Sequence, residues 1–137
     1  MKRTISLLLV VTFIFALCAC SSKPDTQEMI VEANRFIASQ RYSADYSARG
    51  EYSADYNCYF VQISVNEKVL DGTGWSKNSL EAGALFAMMC NSEVVDEMMD
   101  YIFNNLKGIF EESSIDVVVG FYNHRGEITK TRTTMVD

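Results

Sequence analysis

The chain has 137 residues, 48% of them hydrophobic, with 18 acidic against 12 basic groups and a net charge of −6 at neutral pH. That length suits one domain with a single core and excludes a comfortable second one. A negative field of this size argues against nucleic acid as a partner and against a polybasic grip on anionic lipid; it suits a solvated surface or a cationic partner.

The first element is an address. Lys2 and Arg3 precede a mostly apolar run over residues 5–19, shorter than the ~20 residues a spanning helix needs, as in a secretory signal segment. The run closes on Leu17-Cys18-Ala19-Cys20, which resembles the lipobox of bacterial lipoproteins. The resemblance implies cleavage before Cys20, acylation of Cys20 through its sulfur, and a lipid anchor at the cell membrane or outer membrane, on the extracytoplasmic face. The expected organisation is a cleaved signal peptide over 1–19, a lipidated cysteine and short tether over 20–24, and one domain over 25–137. Because Lys2 and Arg3 leave with the signal and no acidic group does, the mature chain carries 10 basic against 18 acidic groups, a charge of −8. Each tether residue spans at most about 3.5 Å, so the domain works close to the bilayer.

Residues 25–39 read as an amphipathic helix. Asp25 with Glu28 has capping-box character, and Ile30, Ala33 and Ile37 keep helical spacing, widened by Met29 and Phe36. Next, Tyr42-Ser43-Ala44-Asp45-Tyr46 recurs unchanged as Tyr52-Ser53-Ala54-Asp55-Tyr56. Tyrosine and alanine fall on even positions in both copies, the period of a strand, and a hairpin folded about Arg49 would oppose Tyr46 with Tyr52 and Tyr42 with Tyr56. Residues 57–65 continue as a strand with Tyr59, Val61, Ile63 and Val65 on one face. Asp71-Gly72-Thr73-Gly74 is a turn; its two glycines lack the lysine–threonine ending of a phosphate cradle and any dinucleotide pattern.

Ser79 and Ser92 read as caps of two helices, over 80–89 and 93–110. The second carries Val95, Met98, Ile102, Leu106 and Ile109 on one stripe and Glu93, Asp96, Glu97 and Asp100 on the other. Residues 115–122 and 127–136 flank the turn Asn123-His124-Arg125-Gly126 as a second hairpin. Val117, Val118 and Val119 mark a central strand covered on both faces, and Lys130 and Arg132 mark a protected edge. The order predicts an α+β two-layer domain, an antiparallel sheet with helices packed on one face.

The chemistry-bearing residues are few. With Cys18 removed and Cys20 lipidated, Cys58 and Cys90 remain. Outside the cytoplasm they form either a disulfide, worth about 3–4 kcal/mol for a loop of this length, or two buried free thiols behaving as small apolar residues. Their spacing fits no zinc pattern, and His124 is the single histidine, so neither a metal nor another cofactor is expected. Catalysis would need His124 as a base beside Cys58 or Cys90, and no local signature points to that set. Tyr42, Tyr46, Tyr52 and Tyr56 are the candidate recognition face, because a row of tyrosines offers rigid area with polar tips. The sequence thus favours a membrane-anchored, non-catalytic module that binds a protein, peptide or glycan. Two alternatives stand beside it: an envelope-acting enzyme using His124 or a cysteine, and a structural subunit docking by strand addition at the C-terminal edge.

Overall fold

The computed structural model describes residues 25–40 and 45–136. The signal segment, Cys20 and its tether, and Tyr42 lie outside the described residues.

Helix α1, Thr26–Ser39, buries Met29, Ile30, Ala33 and Ile37, the face that the spacing predicts. Asp25 is extended at its N-cap position but makes no side-chain cap bond. Strands β1, Tyr46–Ser53, and β2, Cys58–Val65, pair antiparallel over their full length, with Tyr46 opposite Val65 and Tyr52 opposite Tyr59. The repeat therefore does not fold on itself about Arg49. Its period of two holds, but Arg49 and Gly50 lie mid-strand and the turn falls over residues 54–57, where Asn57 takes a φ of 47°. Asn57 secures that left-handed conformation through its side chain, accepting from the Tyr52 hydroxyl at 2.9 Å and donating to the Ser114 carbonyl at 3.0 Å.

A 3-10 turn, Glu67–Leu70, follows β2, and Gly72 and Gly74 take φ of 79° and 75° in the predicted turn. Helix α2, Leu80–Cys90, is capped by Ser79, whose hydroxyl accepts from the Ala82 amide at 3.2 Å. Ser92 instead turns its hydroxyl back onto the Met89 carbonyl at the start of helix α3, Glu93–Ile109. Helix α3 buries Val95, Met99, Ile102 and Leu106, so Met99 rather than Met98 holds the centre of the stripe. Strands β3, Asp116–Tyr122, and β4, Ile128–Thr133, form the second hairpin, with a register irregularity at Phe121–Tyr122.

The fold is α+β, with a four-stranded sheet in the order β1-β2-β3-β4. The sheet is mixed rather than wholly antiparallel, because β2 and β3 run parallel. The physical reason is the connection between them. Parallel neighbours need a long crossover, and the segment carrying α2 and α3 supplies it, returning the chain to the starting end of β2. Helix α1 packs against β1 and α3 against β3 and β4. The core lies between these layers, built from Tyr59, Val61 and Ile63 of β2, Val117, Val119 and Phe121 of β3, and the apolar stripes of α1 and α3. The other face is open. Val118, half-buried, points there, so β3 is central but not covered on both sides.

Candidate recognition face

Alternation along each strand assigns every residue to one of two faces. Tyr46, Ala48 and Tyr52 of β1 point to the helix side, half-buried against the core. The Tyr46 hydroxyl reaches the Met89 carbonyl at 3.5 Å, and its ring meets Phe121 edge-on at 6.2 Å. Gly50 shares this face and leaves room for Tyr59, which crosses beneath β1 and donates to Asn34 Oδ1 of α1 at 2.7 Å. Burial raises the Tyr59 phenol from 10.0 to about 12. Tyr46 and Tyr52 are thus packing residues with hydrogen-bonded tips.

Tyr56 stands apart from them. It sits in the β1–β2 turn, 71% exposed, with its ring edge-to-face on Phe60 at 6.3 Å. Phe60 belongs to the open face, in a row that runs Glu51, Phe60, Val118, Thr133 across all four strands. Two further rows are Arg49, Gln62, Gly120, Thr131 and Ser47, Ser64, Tyr122, Ile128. The Tyr122 ring lies over Gly120, within 3.1 Å of where a β-carbon there would stand. The aromatic residues on or beside the open face are Tyr56, which is exposed, and Phe60 and Tyr122, which are half-buried. Phe60 and Tyr122 escape a sequence reading because their face depends on which side the helices cover, and alternation alone does not say which.

The thiols do not meet. Cys58 and Cys90 are both free and buried. Cys58 opens β2 opposite Asp116, whereas Cys90 ends α2 near enough to Lys130 to feel its charge, and Lys130 pairs with Phe121 near the other end of β3. Five residues of strand, roughly 17 Å, separate those two ends of β3. In the structure both stand as free, buried thiols. Burial, helped by Asp116, raises Cys58 from 9.0 to about 11; burial also raises Cys90, against the opposing pull of Lys130. Both shifts disfavour the thiolate that a nucleophile needs.

His124 occupies its predicted turn, where the Asn123 side chain accepts from the Arg125 and Glu127 amides at 2.9 Å each. Its ring stacks on Phe86 of α2, with centroids 5.0 Å apart and planes at 13°, and its Nδ1 is buried without a hydrogen-bond partner. It lies beyond the end of β3, some 20 Å along that strand from Cys58. Among the described residues no three His, Cys, Asp or Glu side chains are grouped to hold a metal ion, and no helix is long and apolar enough to cross a membrane.

The carboxylates of α3 are tied to the sheet. Lys130 Nζ meets Asp96 Oδ1 at 3.0 Å, and Arg132 reaches Asp100 through Nε at 2.8 Å and Asp96 through Nη2 at 3.4 Å. The hydrogen bond from Lys130 is the main cause that lowers the Asp96 carboxyl below 3.8. These basic groups on an edge strand point toward the helix layer, one of the devices that keeps such an edge from recruiting another strand. Comparison with protein-family models, with curated proteins and with solved structures finds no match for this chain.

Proposed function

We propose that the chain is a lipid-anchored, extracytoplasmic bacterial lipoprotein whose domain is a non-catalytic binding or interaction module. The observation that carries the reading is Leu17-Cys18-Ala19-Cys20 directly after a basic start and a short apolar run. Cys20 is the lipidated residue, and two acyl chains on a diacylglyceryl group give stable anchoring where one would not. Two features support a module rather than an enzyme built on the available nucleophiles: burial holds both thiols protonated, and the sheet separates Cys58 from His124. Of the three described tyrosines among those singled out in the sequence, Tyr56 is the one most available for recognition of a protein, peptide or glycan, together with Phe60 beside it.

Mass spectrometry of the protein recovered from membranes tests the anchor. The expected species begins at Cys20 and carries a diacylglyceryl group; a mature terminus elsewhere without lipid overturns the reading. Cross-linking in intact cells with the native chain tests the module, the expected result being one dominant partner whose capture falls on Tyr56→Ser.

A further inference from the structure

The two edges of the sheet are unlike. Strand β4 is short, irregular in register and held by Lys130 and Arg132 to α3. Strand β1 pairs without a register shift over eight residues, has no proline, and among the described residues no strand lies along its other side. A long, regular edge with no described strand beyond it is a template for another strand.

The hydrogen-bond phase of that edge is fixed. Asn66 N donates to the Asp45 carbonyl at 2.6 Å, so odd positions of β1 bond to β2. The N–H and C=O groups of Tyr46, Ala48, Gly50 and Tyr52 therefore point outward. Arg49 and Glu51 flank Gly50 on the open face, both exposed, and neither is in an ion pair among the described residues.

From this pattern we infer that β1 is the interface for a second copy of the chain, the two β1 strands pairing antiparallel about a two-fold axis through Gly50. In that register the outward-facing groups bond to one another. Arg49 stands opposite Glu51 of the second copy, and the symmetry repeats the pair. Ala48 falls beside Tyr52 of the second copy on the helix side, small against large. Sliding by one hydrogen-bond step in one direction would set Arg49 against its own copy, and in the other direction Glu51 against its own, and like charges directly opposite are destabilising. Charge thus selects both the occupant and the register, and the product is a continuous eight-stranded sheet with an isologous interface. The inference does not rest on the lipid anchor, since it uses only β1.

The test is sedimentation equilibrium of the full-length chain in density-matched detergent, over the micromolar range. The wild type should show a monomer–dimer equilibrium. Arg49→Glu and Glu51→Arg should each weaken it by about tenfold or more, because each turns two attractive cross-strand pairs repulsive. An equimolar mixture of the two variants should dimerise again, since every facing pair is then opposite in charge, and so should the double swap Arg49→Glu with Glu51→Arg. Circular dichroism melts of all variants should match the wild type, both positions being exposed. A wild-type monomer throughout, or a dimer indifferent to the swaps, overturns the inference; so does a mixture that fails to recover.

Discussion

Tyr59 occupies the space in which a side chain on Gly50 would stand: its ring carbon Cζ lies 2.9 Å from the β-carbon position, and its hydroxyl is nearer still. The glycine thus serves strand packing, and a backbone turn has no part in it. Gly50→Ala should lower stability by about 1–3 kcal/mol, as an overpacked core site does. Gly83→Ala, where nothing lies within 4 Å in the middle of α2, should be neutral or stabilising by up to about 1 kcal/mol. Urea melts of the two variants read the difference, and equal midpoints would show that the Tyr59 contact yields freely.

The core and the open face should answer differently to truncation. Ile102, fully buried on α3, should cost about 2–5 kcal/mol when changed to alanine. Val118→Ala, half-buried on the open face, should cost about 1 kcal/mol. Thermal melts showing equal losses would place a cover on the open face.

Tyr46→Ser with Tyr52→Ser should destabilise the domain by a further measurable step, because both rings pack on the core and both hydroxyls are engaged. Tyr56→Ser should leave the melting temperature within about 2–4 °C of wild type, as an exposed turn residue does. A fall of Tyr56→Ser equal to that of the double change would mean that the Phe60 contact carries folding energy.

Both thiols should be inert in the native protein at pH 8 toward a disulfide reagent, and both should react once the chain is unfolded. Their raised pKa and burial act in the same direction. Rapid native labelling of either cysteine would contradict that placement.

Asp96 gives the pH dependence. Its folded pKa lies below its ordinary 3.8, principally through the hydrogen bond from Lys130. A depressed carboxyl contributes stability that is complete above the unfolded pKa and is lost as pH falls through the folded one. Stability should therefore decline below about pH 4, and Asp96→Asn should flatten that acid limb by lowering stability at pH 7 while changing little at pH 2. Melting temperatures from pH 7 down to pH 2 would check the sign.

Much of the architecture was legible because it rests on local rules. Ile30, Ala33 and Ile37 fixed the buried face of α1, and Tyr59, Val61 and Ile63 that of β2. Two features were not legible. The repeat around Arg49 is locally compatible with a hairpin, but pairing with β2 over eight residues and the seating of Tyr59 under Gly50 go with a straight β1. The parallel pairing of β2 with β3 depends on where α3 delivers the chain, which no window of residues encodes. The candidate site was half legible. Tyr56 could be named from composition, whereas its companion Phe60 is assigned to the open face only by knowing which side the helices cover.

The long connection between β2 and β3 also orders events in time. Tyr52 meets Tyr59 across seven positions of chain, but Tyr59 meets Val117 across 58. Closing the longer loop costs about 2 kcal/mol more in chain entropy, and that cost must be met before the contact returns anything. Each hairpin can form early, and the central pair waits for α3. Until it closes, β2 and β3 each present a bare edge, so a nascent chain carries two strand edges that the finished sheet no longer has.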